Sequence, residues 1–311
     1  MPKEDSFERY LLARRAEIDA ALDSVLPHPP ACPPLIAEAM RYSVLAGGKR
    51  IRPILTLASA EALMEGQLTA VSIPSDWNQI LIGACAIELV HTYSLVHDDL
   101  PSMDDDDLRR GRPTAHVVYG EGNAILTGDA LLTQAFIALA QPNSTDSPEL
   151  EHRRVRAIAC IAEAAGAGGM VGGQALDLAA TGTQSGGTTA LRDMHERKTG
   201  ALIKAAAVCG AILAGGKPQA IETIETYATH LGLAFQIVDD ILDVEGKTDE
   251  LGKTTGKDET NDKSTYPSLH GIERSRVLAT EATEASKAAL ATAGLGGRLA
   301  EIADWVLSRT H

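Results

Sequence analysis

HDDLPSMD (residues 97–104) and QIVDDILD (residues 236–243) are the two stretches that decide how this sequence is interpreted. Each closes an apolar, helix-like run with three aspartates, and carboxylates this close together repel one another unless a positive charge lies between them. A hard divalent cation such as Mg²⁺ binds through a few carboxylates and takes its other ligands from water and phosphate oxygens. One such stretch could be a solvated acidic turn. Two of them, both joined to hydrophobic sequence, predict a cage that holds a diphosphate through metal ions.

The second stretch has the spacing of an α-helix. Its polar residues fall at positions i, i+3, i+4 and i+7, which lie on one helical face: Gln236, Asp239, Asp240 and Asp243. Isoleucine, valine and leucine fill the positions between them and would pack the opposite side. Carboxylates on an otherwise buried helix are costly unless they are paired or bound to metal.

The first stretch has a different geometry, because Pro101 breaks the helix. Asp98 and Asp99 therefore lie near a helix end, and Asp104 returns from a loop. We expect Asp98 and Asp104 to approach one metal from two directions.

The composition excludes several classes of protein. With 28 basic and 42 acidic residues in 311, the net charge of −14 argues against a nucleic-acid-binding surface. The four cysteines are scattered without a CxxC pair, which is typical of buried thiols in a reducing compartment. No signal peptide is evident, and no apolar run reaches the roughly 18 residues that a membrane span needs. We therefore expect a soluble, cytoplasmic protein without stable membrane insertion.

Helical patterning dominates the chain, and no convincing alternating strand is present. We predict one all-α domain over residues 1–311, a bundle of about ten or more helices around a central cavity. The predicted helices cover residues 4–25, 34–45, 53–65, 80–99, 122–140, 151–180, 190–215, 218–243, 272–293 and 296–309. The long charged segment 246–267 is predicted to be a loop, and loops of that length are more often functional than incidental.

Basic residues recur at positions where an anion could bind. The segment GGKRIRP (residues 47–53) supplies three cations where two glycines allow close backbone approach. Arg109 and Arg110 directly follow the first aspartates, and arginine suits bidentate phosphate binding, although this pair could instead neutralise Asp105 to Asp107. In Lys198-Thr199-Gly200 the glycine weakens a helix and can release a carbonyl group. Each group alone could be an ordinary surface feature.

These pieces occur in a specific order that resembles the trans-prenyltransferases, or polyprenyl diphosphate synthases, and most of all the bacterial-type farnesyl diphosphate synthases. The resemblance covers nearly the whole chain. Its carriers are GGKRIRP (47–53), HTYSLVHDDLPSMDDDDLRRGRPTAH (91–116), GDALL (128–132), GGQALDL (172–178), RKTGALI (197–203), GLAFQIVDDILD (232–243) and KSTYP (263–267). The four residues between Asp99 and Asp104 are those of the bacterial type. The fold that this implies is the isoprenoid synthase type.

The resemblance implies a reaction and a set of roles. Isopentenyl diphosphate would condense with an allylic diphosphate through three Mg²⁺ ions, which Mn²⁺ could replace, in a homodimer. The metal-binding residues would be Asp98, Asp104, Asp239 and Asp243, with Asp243 and Asp240 acting through water or supporting hydrogen bonds, and Asp99 and Asp240 would be catalytic. Isopentenyl diphosphate would contact Lys49, Arg52, His91 and Arg110. The allylic diphosphate would contact Arg109, Lys198 and Lys253, and Lys263 would be a further substrate-binding residue. Thr199 and Gln236 would stabilise the allylic cation. His97 would be structural.

The length of the product depends on the helix that leads to Asp98. Val90, Tyr93 and Ser94 lie one to two turns before it. In the family an aromatic residue at the position of Tyr93 is typical of short-chain enzymes, so farnesyl diphosphate is the expected product.

Other interpretations of the sequence remain open. Tyr93 could be an ordinary core residue, and the protein could be a geranylgeranyl diphosphate synthase. A terpene cyclase would not need Lys49, Arg52 and Arg110, and a non-catalytic partner subunit would be expected to lose one aspartate cluster. The chain ends Ser308-Arg309-Thr310-His311, without the dibasic tail that caps the isopentenyl site in some relatives.

Overall fold

The structure, a computed structural model, describes residues 6–64, 76–142, 146–180, 187–245 and 265–309. The regular secondary structure of these residues is α-helical, apart from one π-helical turn and one short hairpin. The helices are α1 (Phe7–Val25), α2 (Pro34–Val44), α3 (Ile51–Leu63), α4 (Trp77–Asp98), α5 (Ala115–Tyr119), α6 (Glu121–Ala140), α7 (Pro148–Ala165), α8 (Met170–Ala180), α9 (Gly187–His195), α10 (Ala201–Leu213), α11 (Pro218–Glu245), α12 (Tyr266–His270), α13 (Ile272–Thr292) and α14 (Arg298–Ser308). The π-helical turn is Glu196–Gly200, and the hairpin pairs β1 (Leu108–Arg109) with β2 (Arg112–Pro113).

Helix starts follow ordinary capping chemistry. Ser6 accepts a hydrogen bond from the backbone N–H of Arg9 at the start of α1. Ser147 does the same for Leu150 in α7, where Pro148 occupies the first turn. Such caps satisfy N–H groups that a helix leaves without an internal partner.

The core is built around α4, which is buried along most of its length and packs against α3, α6 and α10. A helix that is apolar on nearly every face can be stable only inside the fold. The second aspartate stretch lies on α11, which packs along α10 and α13. The two aspartate stretches are therefore carried by helices that pack on the same central helix, α10.

Helix α10 approaches α3 unusually closely. A side chain at Gly210 would collide with the backbone carbonyl of Thr56, whose hydroxyl donates to the Ala206 carbonyl at 2.9 Å. Close contact of this kind explains why small residues dominate α10, since it brings the helices that carry the site together.

The structure corrects several predicted elements. Residues 151–180 form two helices instead of one, because the chain turns at Gly166–Gly169, where a side chain at Gly169 would meet the Ala164 carbonyl. The predicted helix 190–215 contains the π-helical turn. Helices α5 and α12 and the hairpin were not predicted, since elements of two to five residues show no measurable periodicity. The remaining helix ends agree within a few residues.

The expectation that no segment has membrane-spanning length was wrong. Among the described residues, three spans are long and apolar enough to cross a membrane by length and composition: Trp77–Asp98, Glu121–Ala140 and Pro148–Ala180. The first of these, α4, is the central core helix. The second, α6, exposes apolar side chains at its surface, including Ile125, Leu126 and Ile137.

Candidate active site

One large cavity of about 1160 Å³ brings most of the predicted site residues together. Its lining comes from the α2–α3 loop, α4, the loop before the hairpin, α8, the π-helical turn, α11 and the end of the chain. The predicted residues that line it are Lys49, Arg52, His91, Tyr93, Ser94, Asp98, Asp104, Arg109, Arg110, Lys198, Thr199, Gln236 and Asp239. The predicted residues that do not line it are Val90, Asp99, Asp240 and Asp243. Lys253 and Lys263 lie outside the described residues.

In the first aspartate cluster, Asp98 and Asp104 face the cavity. Helix α4 ends at Asp98, and the chain turns back so that the Asp104 N–H donates to the Asp98 carbonyl at 2.9 Å. Burial raises the pKa of the Asp98 carboxyl to about 6, and Asp104 and Asp99 add to that effect against Lys198 and Arg109. A carboxyl group whose neighbours disfavour its ionised form gains most from a bound cation.

The middle carboxylate of this cluster has a different partner. Asp99 is buried and accepts from the Nε and Nη2 atoms of Arg109 over 2.6–3.0 Å. Such bidentate pairs are strong and geometrically specific. Asp99 therefore positions Arg109 at the cavity wall, and the catalytic role predicted for Asp99 stays a prediction.

The second cluster divides in the same way. Asp239 lines the cavity, whereas Asp240 is buried and accepts from the Tyr266 N–H at 2.9 Å and from the Gln236 amide at 3.0 Å. Because a carboxylate only accepts, Gln236 must turn its NH₂ group to Asp240. The carbonyl oxygen of Gln236 is thereby left for the cavity. Asp243 does not reach the cavity, so the structure gives no support to its predicted metal contact.

The π-helical turn carries Lys198 and Thr199. Lys198 Nζ lies 2.5 Å from Asp177 Oδ2, and the backbone at Lys198 lies against Gly173 so closely that a side chain there would collide with it. Single π-helical turns inside helices occur often at functional sites, because they free backbone groups. The predicted weakness at Gly200 corresponds to this turn.

The opposite part of the cavity is basic. Lys49, Arg52, His91 and Arg110 all line it, and Arg52 Nη1 lies 3.3 Å from His91 Nε2. Burial lowers the pKa of the Arg52 guanidinium, and the positive charges of Arg309 and Arg110 act in the same direction against Glu88 and Asp239. Cations crowded in this way favour a bound anion.

Arg50 differs from its two neighbours in the GGKRIRP segment. It is buried, adopts a left-handed backbone with φ of 54°, and donates to Glu88 at 2.7 Å and to Asp19 at 2.8 Å. All three cations of that segment line the cavity, but the Arg50 guanidinium is engaged by Glu88, Asp19 and the Val44 carbonyl and holds the loop in place. Gly48 is needed here because any side chain would displace the Arg110 guanidinium.

No pattern in the sequence predicted that Arg309 lines the cavity. Its guanidinium lies 2.8 Å from Asp239, donates to the Phe235 carbonyl at 2.6 Å and stacks 3.7 Å from the centre of the Phe235 ring. The residue after α14 thus supplies one cation to the cavity. A single arginine after a helix has no pattern that would have revealed this contact.

Tyr93 and Ser94 lie at the cavity wall one turn before Asp98, and Val90 is buried in the core away from the cavity. The Tyr93 ring meets the His97 ring edge to face, with centroids 5.7 Å apart. His97 Nε2 lies 3.0 Å from the Ile125 carbonyl oxygen, and His97 also lines the cavity, so its structural role stays a prediction.

The residues present fit magnesium bound together with a diphosphate. Among the described residues, no three carboxylate, imidazole or thiol groups converge into a ready-made metal site. Mg²⁺ usually takes only one or two protein carboxylates and completes its shell with water and substrate phosphates. Asp98, Asp104 and Asp239 supply such carboxylates. Burial raises the pKa of Asp98, and a bound cation would favour its ionised form.

The sequence profile of the family described as Polyprenyl synthetase matches residues 33–292. The chain belongs to this family. The predicted trans-prenyltransferase identity is confirmed, and the all-α fold is confirmed by the solved structures below.

Relatives and solved structures extend this match. The chain is 43% identical to a dimethylallyltranstransferase of Fischerella ambigua (strain UTEX 1903) over 97% of this chain and 83% of the relative. It is 43% identical to a chloroplastic geranylgeranyl pyrophosphate synthase of Capsicum annuum over 91% of this chain and 72% of that protein. An apo FPP/GFPP synthase from Zymomonas mobilis superposes with a TM-score of 0.82 at 33% identity, covering 97% and 99% of the two chains. A geranyltransferase from Helicobacter pylori, complexed with magnesium and isoprenyl diphosphate, gives 0.83 at 32% identity over 99% and 98%.

Proposed function

We propose that this polyprenyl synthetase condenses isopentenyl diphosphate with dimethylallyl and geranyl diphosphate, head to tail, and releases farnesyl diphosphate. The observation that carries the proposal is the division of one cavity into a carboxylate-rich part and a basic part, with Tyr93 in its wall. Family membership and the relatives support prenyl chain elongation in general. The product of fifteen carbons is the finer proposal.

Each residue of the cavity has a task in this reaction. The allylic C1–O bond breaks, and its electron pair leaves with the diphosphate. Magnesium ions held by Asp98, Asp104 and Asp239 would supply the charge that stabilises this leaving group. Arg109 and Lys198 act on the same diphosphate from fixed positions, which costs no reorganisation when the bond breaks.

The allylic cation is then stabilised by dipoles. The carbonyl oxygen of Gln236, oriented by Asp240, and the hydroxyl and carbonyl of Thr199 present negative ends of dipoles to the cavity. Lys49, Arg52, His91 and Arg110 hold isopentenyl diphosphate so that its alkene attacks C1. A proton is lost from C2 of the isopentenyl unit to an oxygen of the departed diphosphate, which closes the new double bond.

Tyr93 sets the product length in this proposal. Its ring lies in the cavity wall one turn before Asp98, and its edge-to-face contact with His97 holds it there. A chain that grows past fifteen carbons would have to displace it. A geranylgeranyl product is the second candidate, because several relatives 43–47% identical to this chain carry that name.

The experiment is product analysis after incubation with isopentenyl and geranyl diphosphates and Mg²⁺, for the unmodified protein and for Tyr93→Ala. We expect a fifteen-carbon alcohol after dephosphorylation from the first and twenty carbons or more from the second. Tyr93→Phe is the matched control and should keep fifteen carbons. A twenty-carbon product from the unmodified protein would mean that a residue other than Tyr93 limits the length of the product.

Three further features belong to this proposal. The requirement for three ions, and replacement of Mg²⁺ by Mn²⁺, can be tested by metal titration.

A homodimer is supported by an exposed apolar face on α5 and α6, formed by Val117, Val118, Ile125, Leu126 and Ile137. Leu126→Glu should produce monomers in sedimentation experiments if a second copy covers this face. A cytoplasmic location is supported by the four free cysteines.

A further inference from the structure

Gln174, on α8, is a buried amide without a hydrogen-bond partner. Both its Oε1 and its Nε2 are shielded from solvent, and neither has a partner within the described structure. Leaving a buried polar group unpaired costs about 1–3 kcal/mol, so such groups usually have a reason. Gln174 lines the active-site cavity, which makes a ligand in that cavity the natural partner.

The position of Gln174 on α8 brings it close to the reacting end of the substrate. Its neighbour Gly173 lies against the backbone of Lys198, and Asp177, three residues further on, pairs with Lys198 Nζ. The three other cavity residues one turn away on α8, Met170, Val171 and Leu178, are apolar. Gln174 is thus the polar residue of an otherwise apolar wall, beside the turn that carries Thr199.

A comparison with Gln236 shows what this amide can do. Asp240 fixes the amide of Gln236 so that its carbonyl oxygen is available to the cavity. No group among the described residues hydrogen-bonds the Gln174 side chain, so it can turn whichever end of its dipole the ligand requires. A cation that forms between the two amides would attract the oxygen of both.

We propose that Gln174 is a further catalytic residue, whose carbonyl oxygen contacts the allylic unit and stabilises its positive charge after the C1–O bond breaks. This inference rests on the proposed function, because it assigns the cation to the same cavity. Gln174 contributes after the C1–O bond has broken and not in the binding of the intact diphosphate, whose C1 is uncharged. An interaction made only at that stage raises the rate of the chemical step.

The test compares two non-reactive ligands in the presence of Mg²⁺. Geranyl S-thiolodiphosphate carries a neutral allylic carbon, and an alkylammonium diphosphate carries a positive nitrogen at the position of the cation. We expect Gln174→Met to lower affinity for the ammonium ligand about tenfold relative to the neutral one, and to slow single-turnover elongation of geranyl diphosphate by about 10–100-fold. Gln174→Glu, which keeps an oxygen at this position, should retain the preference for the ammonium ligand.

Gln79→Met is the matched control. Gln79 is also buried, and its carbonyl oxygen also has no partner, but it lies at the start of α4 and does not line the cavity. The Gln79→Met variant should change neither the ratio of affinities for the two ligands nor the rate of single-turnover elongation. An unchanged ratio in Gln174→Met, or equal loss of both ligands, would overturn the role of Gln174. Absence of elongation by the unmodified protein would instead overturn the proposed function, and the affinity ratio would still test Gln174.

Discussion

The two aspartate clusters have similar sequences, but their inner carboxylates have different partners among the described residues. In the first, on the end of α4 and the following loop, Asp99 pairs with the charged guanidinium of Arg109. In the second, inside α11, Asp240 accepts from the Tyr266 N–H and the Gln236 amide, and His195 Nε2 lies 3.9 Å from its Oδ1. In both clusters the other carboxylates, Asp98 with Asp104 and Asp239, line the cavity.

The difference shows that an aspartate-rich stretch is not a uniform set of metal ligands. One carboxylate in each cluster holds a neighbouring side chain that lines the cavity, Arg109 for Asp99 and Gln236 for Asp240. In the proposed reaction, Asp99 would orient a cation toward the leaving diphosphate, whereas Asp240 would orient a dipole toward the allylic cation. The cavity-lining carboxylates would bind magnesium.

The largest effect is expected from a cavity-facing carboxylate. Asp98→Asn should slow elongation of geranyl diphosphate by about 10³-fold or more, because charge on the leaving diphosphate loses its preorganised stabilisation. Asp23→Asn, at an exposed ion pair near the end of α1, is the control and should leave the rate unchanged. Retention of a tenth of the activity by Asp98→Asn would place the metal elsewhere.

The next effect is on stability and distinguishes the two buried carboxylates. Asp99→Asn leaves Arg109 as a charge without its partner, and should lower the free energy of unfolding by about 3–5 kcal/mol. Asp240→Asn disturbs the hydrogen bonds from the Tyr266 N–H and the Gln236 amide, and should lower it by about 1–3 kcal/mol. Urea denaturation of the metal-free proteins measures both values. The reverse order would show that the neutralising partners do not matter as described.

The smallest effect concerns Arg309, whose guanidinium pairs with Asp239. Asp239 is partly exposed, so this ion pair contributes modestly. Arg309→Gln should lower the Mg²⁺ concentration for half-maximal activity by about two- to fivefold, because the metal no longer competes with a fixed cation. A higher requirement for Mg²⁺ would mean that Arg309 supports the metal-bound arrangement instead.

The sequence predicted these regions unequally, for physical reasons. The stripe of Gln236, Asp239, Asp240 and Asp243 follows from helical periodicity alone, and the structure has it on α11. Periodicity says nothing about which carboxylate finds a partner, so the pairing of Asp99 with Arg109 and the hydrogen bonds to Asp240 could not be predicted. They depend on how the chain turns after α4 and on how α12 packs against α11.

The roles of two cavity residues could not be predicted, because Arg309 and Gln174 reach the cavity through tertiary packing. Arg309 has no distinctive spacing in the sequence. Gln174 lies in the motif GGQALDL, which indicated the family but not what this side chain does. The order of the motifs, in contrast, indicated the family and the all-α fold, because a combination spread over most of the chain is far more specific than any single member of it.

The division of labour within the clusters is tested most directly by the Mg²⁺ dependence of geranyl diphosphate elongation in Asp239→Asn and Asp240→Asn. We expect Asp239→Asn to raise the half-saturating Mg²⁺ concentration at least about tenfold, since even the loss of a group that supports a metal ligand costs that much. Asp240→Asn should lower the rate at saturating Mg²⁺ and change the half-saturating concentration by less than about threefold. An equal rise in the Mg²⁺ requirement of both variants would contradict the account, because it would make Asp240 part of the metal site.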